Sequence, residues 1–363
     1  MFGFGIETEY LLVHKKDNTP LSYKELTFDA LHDIIDTIPL DGIPNIESLD
    51  LEDFHRSVSP YVIEGYAMWE EAASPSKIVG FLPKGIEIRT PAAANLDESL
   101  NLLENLFIRL QSKLAEHDLM AVSISHHPKD HSFKGPRGNR IDTWMSAQNA
   151  MTSFGPDINI SLPEDHFKRI ASSDYEEKFN YYAAPMISWA LSSPFKNNTL
   201  WKIRDQIGRS YRTFKRSIDA PAIKKHLGRN PRFEFKAYEM SNDLQDFKNY
   251  ILLFMTVLLD DTLLGRATRA ERIYELGEVA VKGLSDEWFR SKLSELLESA
   301  ENTLPKYGFC TNSLKAVSTR LSTRKTPADE MVESYLNRGQ SIDSILKNYS
   351  ILKPLNNSGK DNK

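Results

Sequence analysis

Apolar and polar positions alternate with a period of two in four stretches that lie far apart in this chain. They are Gly5-Ile6-Glu7-Thr8-Glu9-Tyr10, Gly85-Ile86-Glu87-Ile88-Arg89-Thr90, Phe154 to Leu162, and Arg232 to Tyr238. Successive side chains of a β-strand point to opposite faces, so each stretch predicts a strand with one apolar and one polar face. The polar faces carry Glu7 and Glu9, then Glu87 and Arg89, then Asp157, Asn159 and Ser161, then Glu234 and Lys236. Two carboxylates about 7 Å apart on one face repel unless water or a cation compensates them. For a single stretch a solvated edge strand explains this. Four such strands side by side would instead form a sheet with one apolar and one acidic face, on which Glu7, Glu9, Glu87, Asp157 and Glu234 converge.

A helical period governs much of the remainder. Tyr23 to Ile38 and Asp142 to Met151 read as helices, and so does Asn95 to His117. In the last, Leu100, Leu103, Phe107, Leu110 and Leu114 make one stripe and Asp97 and Glu98 sit in the first turn. Residues 41–84 suggest hairpins around Tyr61 to Tyr66 and Ile78 to Leu82, and Leu119 to Ser125 a strand. Tyr175 to Ser192 reads as a helix kinked by Pro185. From Asn242 helix follows helix: Leu244 to Leu264, Ala267 to Val281, Ser285 to Ala300, Ser313 to Leu321, Thr326 to Leu336 and Ile342 to Tyr349. The expected fold class is α+β, a curved antiparallel sheet lined by acidic residues with helices packed on its other face. Residues 1–240 would hold the sheet, 241–350 a helical layer of the same domain, and 351–363 a disordered tail.

Composition narrows the partners. The 363 residues include 45 basic and 50 acidic side chains, a net charge of −5, with the basic clusters interleaved with acids. Nucleic-acid binding needs a basic balance or a dense basic patch, so it is not expected. Cys310 is the sole cysteine, which excludes an internal disulfide and suits a reducing, cytoplasmic setting. No signal-peptide pattern opens the chain, and its longest apolar run falls well short of the ~20 residues of a membrane span.

The chemistry follows from the acidic strands. Oxygen donors without cysteine, and almost without histidine, suit Mg²⁺ or Mn²⁺ better than zinc, and point to a magnesium–nucleotide site. Lys129 to Arg140 is rich in Lys, Arg and Gly and reads as a mobile surface loop able to close over phosphates. Arg204, Arg209, Arg212 and Arg216 fall within thirteen residues. That density fits a solvated helix face or anion recognition, with Arg212 and Arg229 the candidates for the latter. His127, before Pro128, fits a polar turn or a place near the nucleotide.

Several short motifs occur in one order through nearly the whole chain. They are Gly5-Ile6-Glu7 with Glu9, Glu87-Ile88 with Thr90-Pro91, His127-Pro128, Phe154 to Ser161, Ala190 to Phe195, Arg229-Asn230-Pro231-Arg232-Phe233-Glu234 and Thr326 to Glu330. In this order they resemble the glutamate-cysteine ligase type 2 family of carboxylate-amine ligases. The resemblance implies a fold like that of glutamine synthetase, with ATP and Mg²⁺ turning a carboxylate into an acyl phosphate that an amine captures. It places His127 near the site. Where the family usually has His-x-His this chain has Asp157-Ile158-Asn159, and where it has Glu-x-Arg this chain has Glu234-Phe235-Lys236. Oxygen ligation and positive charge survive both changes; the bidentate fork of an arginine does not.

The expected assignments are Glu7, Glu9, Glu87, Asp157 and Glu234 as metal ligands and Glu87, Lys236 and Arg229 in catalysis. Arg89, His127, Asn159 and Arg212 would bind substrate or nucleotide. The expected partners are small amino-acid and amine substrates, with a homo-oligomer compatible with the sequence. Two other readings stay open, a magnesium–ATP phosphotransferase on the same scaffold and a non-catalytic nucleotide or amino-acid binding protein.

Overall fold

The computed structural model describes residues 1–49, 57–69, 78–137, 141–218, 221–228 and 230–355. Its strands are β1 (Gly3–His14), β2 (Ser57–Val58), β3 (Tyr61–Trp69), β4 (Ile78–Arg89), β5 (Leu119–Val122) and β6 (Pro156–Ser161). Two small ribbons follow, β7 (Phe195–Lys196) with β8 (Thr199–Leu200) and β9 (Lys202–Ile203) with β10 (Gln206–Ile207), and then β11 (Ile223–His226) and β12 (Arg232–Phe235). Eight of them form one antiparallel sheet in the order β11-β12-β6-β1-β4-β3-β2, with β5 pairing the far half of β1. The four alternating stretches are thus consecutive neighbours, β12-β6-β1-β4.

Alternation decides what each face meets. Phe4, Ile6, Ile86, Ile88, Ile158, Ile160, Phe233 and Phe235 are buried beneath the sheet, while the acidic residues between them face the other way. The helices are α1 (Phe28–Asp36), α2 (Leu96–Ala115), α3 (Ile141–Ala150), α4 (Glu164–Ala171), α5 (Tyr175–Ile187), α6 (Tyr211–Arg216), α7 (Leu244–Leu259), α8 (Arg269–Lys282), α9 (Glu287–Thr303), α10 (Lys315–Thr323), α11 (Pro327–Leu336) and α12 (Ile342–Lys347). The α2 stripe covers β1, β4 and β5, and Phe107 lies 5.0 Å from Tyr10, ring centre to ring centre. Phe179 of α5 and Phe254 of α7 close on Phe235 at 6.0 and 5.6 Å. α7 is buried along nearly its whole length, which is why Tyr250 to Leu259 is apolar on every side but for Thr256.

Some boundaries differ from the sequence reading for local reasons. The first helix starts at Phe28 rather than Tyr23 because the Glu25 carboxylate accepts from the Ser22 N–H and hydroxyl and holds a turn there. Pro185 does not kink a long helix; α5 ends at Ile187, and the Ser188 hydroxyl donates to the Pro185 carbonyl. The Leu244 helix stops at Leu259 because Asp260 is extended and turns its carboxylate to Thr262 and Ser299. Lys129 to Arg137 is pinned, with Phe133 packed against Tyr23 at 4.8 Å and Tyr66 at 5.2 Å; residues 138–140 lie outside the described residues. Of the expected tail, Lys353 exchanges backbone hydrogen bonds with Asn242 and Leu244, and residues 356–363 lie outside the described residues. No helix among the described residues is long and apolar enough to cross a membrane.

Candidate active site

Register turns the alternation into a site. Glu7 on β1 lies opposite Arg89 on β4 and Asp157 on β6, Glu9 lies opposite Glu87, and Glu234 on β12 lies opposite Asn159. Glu7, Glu9, Glu87, Arg89, Asp157 and Glu234 line a cleft of about 500 Å³ together with Glu64 on β3, Arg216, Lys224, His226, Arg232 and Lys236.

The carboxylates are compensated in pairs. Glu9 uses both oxygens: Lys84 donates to one at 2.9 Å and the Gly155 N–H to the other at 3.0 Å. Lys84 also donates to the carbonyls of Ala150 and Ser153, so this pair is locked beside the cleft floor. Arg89 donates to Glu87 at 2.8 Å and lies 3.8 Å from Glu7 and 3.9 Å from Glu64. Arg232 donates to Asn159, which donates to Glu7 at 3.1 Å. Lys236 donates to Asp157 and, at 2.8 Å, to Glu234, whose other oxygen meets His226 at 3.0 Å.

Burial and these partners move the ionisation equilibria. Burial raises the Glu7 carboxyl above its ordinary range, with Arg89 opposing. Burial, reinforced by Glu64, raises Glu87 well above it, again against Arg89. Burial would raise Glu234 too, but Lys236 and His226 outweigh it and hold that carboxyl at about 2. Burial works against the Lys236 ammonium, yet Asp157, Glu234 and Glu7 keep it charged beyond the usual lysine range.

Three of the carboxylates stand apart. Glu7, Asp157 and Glu234 each offer an oxygen, all within 4.8 Å of one another. Oxygens around one Mg²⁺ at metal distances of about 2.1 Å lie roughly 3 to 4 Å apart, so small side-chain adjustments close this set on an ion. The donors are hard oxygens only, which fits Mg²⁺ or Mn²⁺. Glu9 and Glu87, expected as ligands, lie outside this set, the first held by Lys84 and the Gly155 N–H and the second by Arg89.

No protein-family model and no curated protein matches this sequence. Solved structures do match in three dimensions. A bifunctional glutathione synthetase from Pasteurella multocida superposes with a TM-score of 0.61 at 13% identity, over 96% of this chain and 52% of that one. Glutamate-cysteine ligase from Francisella tularensis, solved with AMP, gives 0.60 at 14% identity, over 96% of this chain and 87% of that one. The complex of the prokaryotic ubiquitin-like protein Pup with its ligase PafA gives 0.51 at 12%, over 98% and 77%. The chain shares its fold with these three structures. It spans about half the length of the glutathione synthetase.

The remaining expected residues are placed as follows. Arg89 and Asn159 line the cleft side of the sheet. His127 does not: its ring is buried, and Nδ1 accepts the N–H groups of Asp130 at 2.8 Å and Lys129 at 3.3 Å, capping a turn. Arg212 is likewise no exposed anion binder. It lies buried beneath Gly155, donates to the Tyr238 carbonyl at 2.8 Å, and sits 3.9 Å from Glu239. Burial, with Arg216 adding repulsion, pushes its guanidinium down to about 10. A Cβ on Gly155 would fall 1.9 Å from Arg212 Nη2, so any larger residue there would displace the guanidinium from this position. Arg229 lies outside the described residues.

Sequence reasoning missed Glu64, Lys84, Lys224, His226 and Arg232. Lys224 and His226 keep the same two-residue spacing as the recognised pairs, and that spacing was the available signal. Glu239 was also missed. It is fully buried and accepts from the Ser192 N–H and from the hydroxyls of Ser193, Ser210 and Thr213, tying α6 to the segment after β12.

Proposed function

We propose that this chain is an ATP- and Mg²⁺-dependent carboxylate-amine ligase, joining the carboxylate of an amino acid such as glutamate to an amine through an acyl phosphate. The observation that carries this reading is the Glu7, Asp157 and Glu234 oxygen set, within 4.8 Å, in a cation-lined cleft on this fold. Carboxylates are poor acyl donors, and phosphorylation supplies the leaving group the amine needs. Catalysis of such a transfer is chiefly alignment and neutralisation of charge. Glu7, Asp157 and Glu234 would hold the divalent ion, which when bound neutralises phosphate charge. Lys236 would meet the transferring phosphoryl group, and Arg89, oriented by Glu87, the substrate carboxylate. Asn159 holds Glu7 and Arg232 in place through its two amide atoms. Arg229 is assigned to catalysis on the motif resemblance. A single exposed cysteine, Cys310, suits a reducing cytoplasm.

The test incubates the full chain with ATP, Mg²⁺ and a panel of amino acids and amines, and follows ADP and the condensed product by mass. A condensed product formed with ADP supports ligation. ADP with a phosphorylated acid and no condensation would shift the assignment to a phosphotransferase. Nucleotide binding without turnover for every pair would leave a binding protein.

A further inference from the structure

We propose that the Lys236 ammonium is the resident counter-ion of the Glu7, Asp157 and Glu234 set, and that a divalent cation enters by displacing it. This exchange rests on the metal reading given under the proposed function. Two of the three carboxylates in the set, Asp157 and Glu234, are the two that Lys236 bridges. An ion coordinated by those oxygens would stand within a few ångströms of the ammonium, where like charges repel strongly in a partly desolvated cleft.

The other cations facing the set are committed differently. Lys84 is 5% exposed and held by Glu9 and two carbonyls. Arg89 forks among Glu87, Glu7 and Glu64, and Arg232 is bonded to Asn159. His226 touches the Glu234 oxygen that Lys236 does not, while Lys224 and Arg216 line the cleft. Lys236 alone bridges two members of the set among the described residues. A lysine is suited to leave: its ammonium is a point charge on a four-carbon stem, with no planar fork to fix its orientation. Once released it remains tethered to the cleft it lines, available to an incoming phosphoryl oxygen. Cation entry and exposure of that ammonium are then one event.

The test is Mn²⁺ binding to the full chain without nucleotide, by electron paramagnetic resonance and calorimetry. Lys236→Met and Lys236→Gln are each expected to tighten Mn²⁺ binding at least about tenfold, because a competing unit charge is gone. Adding Asp157→Asn to either should abolish that gain. In the wild-type chain, the protected Lys236 ammonium signal in nitrogen-15 spectra should disappear as Mg²⁺ is added, a readout that needs no variant to fold. Unchanged or weaker Mn²⁺ binding in the lysine variants, or a Lys236 signal indifferent to Mg²⁺, would overturn the exchange while leaving the metal site standing. Absence of Mn²⁺ binding in wild type and variants alike would overturn both.

Discussion

Glu9 and Glu87 are direct partners across the β1–β4 ladder, yet their carboxylates are drawn to different cations, Lys84 and Arg89. Like charges opposite one another on a sheet are destabilising, and this division relieves the conflict without an external ion. It separates the acidic row into a structural part and a part left for a ligand.

The structural part should show in stability. Glu9→Gln strips a buried ammonium of its counter-charge, and Lys84 is only 5% exposed. The expected loss is about 2 kcal/mol or more, measured by urea denaturation, with Mn²⁺ binding to the three-carboxylate set retained. Stability equal to wild type would mean that Lys84 finds compensation elsewhere.

Glu7 should behave in the opposite sense. Its folded carboxyl is raised by burial, so the folded state binds the proton more tightly than the unfolded state does. The destabilisation is full above the raised value and is relieved as pH falls through it toward the ordinary glutamate range. Glu7→Gln removes that penalty and keeps an oxygen for Asn159 Nδ2. At neutral pH the variant is expected to be at least as stable as wild type in thermal melts. Mn²⁺ affinity should nevertheless fall at least about tenfold and the proposed ligase turnover disappear.

His127 supplies a pH dependence away from the cleft. Burial lowers its imidazole to about 4, against the pull of Asp130, so the folded state resists protonation. Stability it contributes is complete above the unfolded value near 6.5 and is lost as pH falls from there to about 4. His127→Asn keeps an acceptor for the Asp130 N–H but does not titrate. Relative to this variant, wild type should lose on the order of 3 kcal/mol between pH 7 and pH 4, read from denaturation at each pH. Parallel curves would assign the acid sensitivity to the neighbouring buried His126.

Gly155 admits Arg212 beneath the cleft floor. Gly155→Ala sets a methyl 1.9 Å from Nη2 and is expected to cost about 2 to 3 kcal/mol in chemical denaturation. Combining it with Arg212→Lys, which shortens the head group, should return part of that loss. Strict additivity of the two changes would refute the contact.

The polar faces were legible in the sequence because a two-residue period fixes the side of a strand on which a residue stands. Glu7, Glu9, Glu87, Asp157 and Glu234 were expected on one face for that reason, while the narrower Glu7, Asp157 and Glu234 set emerges only from the fold. Which cation meets which carboxylate was not legible, since it depends on register between strands far apart in sequence: Asn159 lies opposite both Gly5 and Glu234. His127 and Arg212 were misplaced because residue type carries no record of burial. A histidine before proline and an arginine in a basic run look solvent-facing until a turn or a glycine encloses them. Helix ends slipped where side chains override periodicity, as Glu25 and Asp260 do.

The central position of β1 bears on the order of folding. β1 comes before β4, β5 and β6, the strands it pairs with, and the acidic row reaches its last cation with Lys236. Until β4 and β6 join it, the apolar face of β1 and the carboxylates Glu7 and Glu9 lack the strands and cations that settle them. Pairings between strands this far apart in sequence cost loop-closure entropy before they are rewarded, which favours slow folding.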